Sequence, residues 1–235
     1  MKILAISDEV VETLYSPRLR QQFRDVELVI GCGDLPFYYL EYIVTMLDVP
    51  LYYVPGNHDK VEQYLSDGRI IHQAEGCERL DARATVHRPE DTPPAVRAAA
   101  PAATPAAPLL LAGLGGSMRY NNEGVHQYTE GEMSTRALRL APRLLANRLR
   151  YGRFLDILVT HAPPRGIHDD TDLAHTGFRS FLTFMDFFRP RLLLHGHSHV
   201  YRADIPTRTR YQATQVINVY PFRLIDWDAE TGHAR

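Results

Sequence analysis

Residues 51–59 read LYYVPGNHD, an apolar run followed at once by a polar turn. The first four side chains are the aliphatic and aromatic types of a buried strand, and a Pro-Gly pair ends the run. Asn57, His58 and Asp59 then place an amide, an imidazole and a carboxylate directly behind the strand. Because ligands of open α/β sheets bind outside the carboxyl ends of the strands, this stretch predicts a strand that delivers polar groups to a site.

Four further strand-like runs end in the same kind of residue. They are Lys2–Ser7 before Asp8, Val26–Ile30 before Asp34, Leu155–Thr160 before His161, and Arg191–His195 before His197 and His199. Taken singly, an Asp or Asn after a strand usually belongs to a turn, and a lone His is often a hydrogen-bonded core residue. His197 and His199 are harder to explain in that way, because they point to one side of an extended segment and two neighbouring imidazoles resist joint protonation. A cation between them removes this difficulty, so the strand ends together predict a metal site.

The candidate ligands are two carboxylates, one amide oxygen and three imidazoles, without a thiolate. Such donors suit Mn, Fe or Zn, and they suit Ca²⁺ poorly because of the imidazoles. Cys32 and Cys77 are too few and too isolated for a thiolate zinc site or a disulfide scaffold. Six donors exceed one tetrahedral ion and fit two ions that share a carboxylate. Two divalent ions, two aspartates and a hydroxide leave a charge of about +1, which attracts a phosphate.

The apolar runs also predict the fold class. Further strands are expected at Leu109–Leu114, Gln215–Val219 and Phe222–Trp227, in addition to residues 51–54. Helices are expected at 16–23, at Phe37–Leu47, from Ser134 or Thr135 to about Arg150, and at Gly177–Phe188. Alternating strands and helices indicate a layered α/β fold, whereas the last two strands follow each other too closely for a helix and are predicted to be antiparallel.

Residues 89–108 differ from the rest in composition. Fourteen of these twenty residues are Ala or Pro and none is aromatic, so the segment buries too little surface to offset its ordering entropy. A domain linker is excluded, because candidate site residues lie on both sides of it. We therefore expect one domain over residues 1–235 with a mobile surface insertion at about 89–108.

The overall charge sets limits on partners and location. The chain has 26 Lys and Arg against 28 Asp and Glu, a net charge of −2, which argues against a bulk attraction to nucleic acid or anionic lipid. It shows neither a signal sequence nor an apolar run of spanning length, so we expect a cytoplasmic protein without a membrane partner.

One segment departs from this balance. Residues 136–153 contain six arginines and no acid, while Leu138, Ala141, Leu145 and Leu149 recur at helical spacing. This pattern predicts an amphipathic helix with a solvated basic face. The alternative is a patch that attracts a phosphate-bearing substrate.

The order of the motifs resembles the calcineurin-like metallophosphoesterase superfamily. The residues that carry the resemblance are Gly-Asp at 33–34, Gly-Asn-His-Asp at 56–59, His161 after a strand, and Gly-His-Ser-His at 196–199. Residues 160–195 look closest to its small bacterial phosphohydrolases. The resemblance implies a four-layer αββα sandwich with two mixed sheets and a dinuclear metal centre at the strand ends.

The resemblance also implies residue roles. Asp34 would bridge the metals; Asn57, His161 and His197 would complete one site, and Asp8 and His199 the other. His58 would stabilise the transition state or protonate the leaving oxygen, and Asp59 would orient the ring of His58.

One position departs from the family pattern. The first motif of the family is Asp-x-His, and here it reads Asp8-Glu9-Val10. Val10 cannot bind a metal, and Glu9 should point away from the site as the immediate neighbour of Asp8 on an extended segment. The chain could therefore be a dinuclear enzyme with a weak first site, a mononuclear enzyme, or a scaffold that has lost turnover. The presence of His58, which has little structural use, favours retained catalysis.

The sequence thus predicts a metal-dependent phosphoesterase with one or two divalent transition-metal ions, which are Mn, Fe or Zn. A metal-bound hydroxide would attack a small phosphomonoester or phosphodiester in line. The alternatives are a catalytically degenerate metal-binding scaffold and a nuclease; the near-neutral charge disfavours the nuclease, although the arginines of 136–153 keep it open. His168 and His175, in the loop Gly166–Thr176, are the candidates for substrate contact.

Overall fold

Short apolar runs bounded by turn residues form the main strands of the protein, as expected for half-buried and fully buried sheets. The computed structural model describes residues 1–64, 67–93, 107–121, 124–228 and 234. The strands in chain order are β1 (Lys2–Ile6), β2 (Leu28–Gly31), β3 (Leu51–Tyr53), β4 (Gln63–Tyr64), β5 (Ile70–Ile71), β6 (Glu78–Arg79), β7 (Arg83–His87), β8 (Leu109–Leu114), β9 (Ser117–Met118), β10 (Gln127–Tyr128), β11 (Ile157–Thr160), β12 (Leu192–His195), β13 (Arg208–Tyr211), β14 (Thr214–Asn218) and β15 (Phe222–Asp226).

The helices follow the expected positions with one exception. They are α1 (Leu19–Gln22), α2 (Phe37–Leu47), α3 (Glu130–Arg139), α4 (Ala141–Tyr151) and α5 (Arg179–Phe188). The single helix predicted from Ser134 or Thr135 to Arg150 is wrong: it is two helices, and the first begins earlier. Thr129 and Glu132 form a capping box that starts α3, and a proline in the first turn of α4 marks the second start.

The strands form two large sheets, each of mixed direction. The first has the order β15-β1-β2-β3-β6, and the second has the order β13-β14-β12-β11-β8-β7. Interior strands run parallel, whereas β15, β13 and β7 are antiparallel to their neighbours. The antiparallel relation predicted for the last two strands is therefore wrong for that pair, because β14 and β15 lie in different sheets and β14 is parallel to β12.

Three apolar clusters define the layers. One lies between the sheets, where Ile3 of β1 packs in the same cluster as Ile157 of β11. Leu4, next to Ile3, points to the opposite face, as the period of two in a strand requires, and belongs to the cluster that includes α2. The third cluster joins the other face of the second sheet to α3, α4 and α5. The order helix, sheet, sheet, helix confirms the predicted four-layer αββα sandwich.

The helix face predicted for residues 136–153 is wrong. Leu138, Leu145 and Leu149 are 69%, 50% and 89% exposed. Leu144 of α4 and Met133 of α3 are buried instead. The sequence offers two apolar stripes at helical spacing, and the neighbouring sheet buries the other one.

The Ala/Pro-rich segment falls largely outside the described residues, which omit 94–106. Its mobility therefore stays a prediction. The strands on either side of it, β7 and β8, pair with each other in the second sheet. No helix in the described part of the chain combines the length and apolar character needed to cross a membrane.

Candidate metal centre and active site

Four of the predicted ligands converge on one point. The Nε2 atom of His161 lies 3.0 Å from Oδ1 of Asn57, 3.1 Å from Nδ1 of His197 and 3.3 Å from Oδ2 of Asp34. Asp34 and Asn57 follow β2 and β3 of the first sheet, and the two histidines follow β11 and β12 of the second. The centre therefore lies where the carboxyl ends of strands from both sheets meet.

Hydrogen bonds on the far side of each ring fix which nitrogen faces the centre. Nδ1–H of His161 donates to the carbonyl oxygen of Cys32 at 2.8 Å, and Nε2–H of His197 donates to the carbonyl oxygen of Ala174 at 2.8 Å. Because both acceptors are carbonyls, the opposite nitrogens, Nε2 of His161 and Nδ1 of His197, are the ring atoms that face the centre. Nδ2 of Asn57 donates to the hydroxyl of Tyr120 at 3.3 Å, which turns its carbonyl oxygen the same way.

The charges of the centre call for a cation. Burial favours the neutral form of Asp34, but the positive charge of His161 and the hydrogen bonds it receives outweigh burial and lower its pKa. Burial lowers the pKa of His161, yet the charge of Asp34 outweighs it and raises that pKa to about 9. For His197, burial and the charge of His161 lower the pKa to about 4. A metal ion at this point would take the place of the proton on Nε2 of His161 and would bind the carboxylate and both imidazoles, so the donor set fits a divalent transition metal.

Two glycines allow this crowding. Gly33 has φ of +94°, and a Cβ atom there would lie 2.5 Å from Nδ1 of His161. A Cβ atom on Gly56 would overlap the carboxylate of Asp34. The Gly-Asp and Gly-Asn-His-Asp motifs therefore need glycine for steric reasons.

Asp59 does not have the role predicted for it. Its Oδ2 accepts hydrogen bonds from the backbone amides of Asp34 at 2.9 Å and Gly56 at 2.7 Å. Within the described residues it makes no hydrogen bond to the ring of His58, so it supports the backbone of the ligand turns instead. Burial, together with the charge of Asp34, raises the pKa of Asp59 to about 7.

His58 is positioned by its backbone and leaves its ring free to act. Its amide donates to Oδ1 of Asp34 at 2.8 Å, and its side chain is exposed. It lines a cleft of about 550 Å³ that also includes Tyr38, Lys60 and Tyr64. The cleft opens from the metal-binding residues past His58, because Asp34 forms part of the same wall.

The two remaining predicted ligands form a separate, more open pair. Nε2 of His199 lies 3.5 Å from Oδ1 of Asp8, and the His199 side chain is 43% exposed. Asp8 accepts a hydrogen bond from the backbone amide of His197 at 3.0 Å, which ties this pair to the four-residue cluster. Val10 is 38% exposed.

Tyrosines complete this half of the site. The ring of Tyr220 stacks on His199 with centroids 4.5 Å apart and planes 14° from parallel. The hydroxyl of Tyr220 is hydrogen-bonded to the carboxylate of Glu9, and the hydroxyl of Tyr201 lies 3.2 Å from Nδ1 of His199. Sequence reasoning missed Tyr120, Tyr201 and Tyr220, because no motif or spacing connects them to the ligands.

The two candidates for substrate contact differ in the structure. His168 is half-buried, with Nδ1 2.9 Å from Nε2 of His195 and Nε2 2.9 Å from the hydroxyl of Thr209. Both ring nitrogens of His168 are thus used inside the fold, which disfavours it as a substrate contact.

His175 keeps its place as a candidate. Its exposed ring lies 5.1 Å from the ring of His197, and Nδ1 lies 2.9 Å from the carboxylate of Asp172. It stands in the same loop as Ala174, the partner of His197, and therefore at the edge of the metal-binding residues.

Comparison with known proteins decides the family. The profile of the calcineurin-like phosphoesterases matches residues 1–201 of the 235. The chain belongs to this family. The family supports metal-dependent phosphoester hydrolysis in general and the binding of divalent metals, for which Asp34, His161 and His197 form a possible site. No curated protein matches the chain.

Solved structures support the fold. TT1561 of Thermus thermophilus is 16% identical with a TM-score of 0.58, and the match covers 100% of this chain and 96% of that one. GAP50, the anchor in the inner membrane complex of Plasmodium, is 10% identical with a TM-score of 0.52, covering 93% and 70%. At such identities the likeness shows the fold alone.

Proposed function

We propose that the protein hydrolyses the phosphoester of a small molecule at the centre formed by Asp34, Asn57, His161 and His197. The observation that carries this proposal is the convergence of these four side chains beside the exposed ring of His58. These residues would hold a divalent cation, which would supply positive charge for the phosphate and a water of lowered pKa as the nucleophile.

We assign the proton transfer to His58. Its backbone amide is held by Asp34, so the ring projects into the cleft from a fixed position. An imidazole at this place can donate a proton to the leaving oxygen or stabilise the charge that develops on it. Asp59 serves this step indirectly, by holding the backbone of the turn through the amides of Asp34 and Gly56.

The cleft next to His58 is the proposed place of the organic part of the ester. A group protonated by His58 leaves on that side, and about 550 Å³ is available there. Tyr38 and Tyr64 supply ring surface, and Lys60 supplies positive charge. His175, whose ring lies 5.1 Å from that of His197, is a candidate for contact with the phosphate.

A metal-binding scaffold without turnover is the second candidate, and the observation that favours it is Val10. The Asp8–His199 pair then lacks the imidazole that the family pattern places at position 10. Against this stands His58, whose ring has no hydrogen-bonding role among the described residues and is explained by catalysis.

The test uses the purified full-length protein with Mn²⁺ added. Hydrolysis is measured on an aryl phosphomonoester, a phosphodiester, a cyclic nucleotide and single-stranded DNA, and metal content is measured by elemental analysis. We expect hydrolysis of an ester, and His58→Ala should lower kcat about 10²- to 10⁴-fold while leaving metal content unchanged. The control is His72→Ala, since His72 is an exposed histidine outside the centre.

Each outcome is decisive for one part of the proposal. Bound metal without hydrolysis of any ester identifies the scaffold, and cleavage of DNA alone identifies the nuclease. Full activity of His58→Ala, with the expected metal content, would remove His58 from the reaction.

A further inference from the structure

The solvent face of α4 is apolar. Leu145 and Leu149 lie one helical turn apart and are 50% and 89% exposed, and Leu138 of α3 is 69% exposed. On the opposite side of α4, Leu144 and Asn147 are buried against the fold. The exposed leucines therefore lie opposite the buried side, which is where a solvated helix ordinarily has its charged residues.

Arginines flank this leucine face. Four of them, Arg139, Arg143, Arg148 and Arg150, are exposed, and residues 136–153 contain no acid. None of the four has a carboxylate within salt-bridge distance in the described part of the chain. The other two arginines of the segment have structural roles: Arg136 pairs with Asp81, and Arg153 pairs with Asp156. The four exposed arginines are thus available to an anionic partner.

Apolar surface continues beside the helix. Phe187 of α5 is 63% exposed, and it lines a cavity of about 480 Å³ together with Arg148 and Phe154. Arg148 lies over the ring of Phe154 at 5.9 Å, with its charge still exposed. The same surface therefore combines exposed leucines, an exposed phenylalanine and positive charge.

A second copy of the chain is a poor occupant for this face. Antiparallel packing of two such helices places each arginine flank against the same flank of its partner, and parallel packing also brings arginines together. Since the segment has no acid, neither arrangement pairs the charges. The repulsion would have to be overcome by a few leucines.

We propose that this face docks on an anionic lipid surface. The leucines would enter the boundary between headgroups and acyl chains, and the flanking arginines would contact lipid phosphates. An exposed apolar face flanked by arginines matches the apolar and anionic layers of a lipid surface, whereas a protein partner would have to supply an acidic groove. The net charge of −2, which argued against bulk attraction to anionic lipid, sums the whole chain and hides this local concentration of arginine.

The test is flotation of the full-length protein with lipid vesicles. One set is phosphatidylcholine, and the other contains roughly one third phosphatidylglycerol. We expect binding to the anionic vesicles only. Leu145→Ser with Leu149→Ser should weaken it at least about tenfold. The matched control is Ile205→Ser with Leu224→Ser, which changes two apolar residues of 42% exposure each elsewhere.

The arginines are tested in the same way. Arg143→Gln with Arg150→Gln should weaken binding and make it less sensitive to salt, whereas Arg208→Gln with Arg210→Gln on β13 should not. The substituted side chains are exposed, although Ile205 and Leu224 are partly covered. Thermal unfolding and solution activity of each variant verify that it folds.

Three results would overturn the proposal. The first is absence of binding to anionic vesicles. The second is leucine variants that bind as well as the unaltered protein. The third is a dimer in solution that Leu145→Ser with Leu149→Ser converts to a monomer, which would assign the face to a second copy.

Discussion

The two halves of the candidate centre differ in how strongly the fold supports them. In the half formed by Asp34, Asn57, His161 and His197, each histidine is fixed by a carbonyl and the amide by Tyr120. In the other half, His199 is 43% exposed and lies against a tyrosine ring. The first half has four candidate ligands from both sheets, whereas the second has two, next to Val10, the position at which the sequence resemblance implies a histidine.

The support of the first half is therefore independent of position 10. The ligands of the first half are held by outer hydrogen bonds that do not involve Val10, Glu9 or Tyr220. Four candidate donors for one cation are therefore held in place where the two sheets meet.

The largest effect should separate the two halves directly. Asn57→Ala with His197→Ala removes two of four converging donors, and we expect metal affinity to fall by more than the about 10- to 100-fold typical for loss of an outer hydrogen-bond partner. Asp8→Ala with His199→Ala should leave one ion bound. Elemental analysis after dialysis measures both, with circular dichroism as the folding control. The reverse ranking would show that the open pair is the main site.

The second prediction restores the missing imidazole. Val10→His should raise the metal content from about one to about two ions per chain, because it gives the Asp8–His199 pair a third donor. Val125→His is the matched control, since Val125 is exposed to 45% against 38% for Val10. Two ions in the unaltered protein, or an unchanged content in Val10→His, would contradict the assignment of Val10 as the lost ligand.

The four converging ligands could be predicted because their chemistry is local. Each follows a buried strand, and the meeting of parallel strand ends brings them together without any knowledge of the side-chain packing. Tyr220 could not be predicted, since it lies 21 residues beyond His199 and meets it only through the pairing of β15 with β1. Asp59 shows the same limit: its position was evident, but its partners are backbone amides set by the turns.

The strands also divide into those that the sequence predicts and those that it does not. Strands such as β8 and β12 are buried along their whole length, so their apolar runs identify them. The edge strand β13 reads Arg-Thr-Arg-Tyr and is largely exposed, which leaves no apolar signal. The face of α4 was mistaken because two leucine stripes fit a helix equally well, and only the sheet beneath selects between them.

The third prediction concerns the loop that supports the buried half. Burial lowers the pKa of His168 to about 4, from an ordinary value near 6.5. Between about pH 6.5 and pH 4 the unfolded chain then binds more protons, so this contribution to the free energy of unfolding is complete above pH 6.5 and is lost as the pH falls. Because the ring is partly exposed and solvent reduces the effect, we expect the contribution of His168 to the free energy of unfolding to be about 1–2 kcal/mol.

His168→Asn tests this contribution. Asparagine tolerates the positive φ of 60° at this position and does not titrate. Denaturant unfolding at about pH 7.5 and about pH 5 should show a smaller loss of stability for this variant than for the unaltered protein. His72→Asn, at an exposed histidine, is the control and should keep the full loss. Equal pH dependence in all three proteins would show that His168 does not contribute.

The smallest effect tests what holds the open half together. In the Val10→His background, where a second ion can be measured, Tyr220→Leu removes the ring stacked on His199, and Tyr220→Phe keeps it while removing the hydroxyl at Glu9. Stacking contributes about 0.5–1.5 kcal/mol, so Tyr220→Leu should weaken the second ion about 2- to 12-fold. Tyr220→Phe should leave it nearly unchanged, as measured by metal titration. An equal loss in both variants would instead assign the support of His199 to the hydrogen bond between Tyr220 and Glu9, and the open half would then depend on a charged group rather than on ring packing.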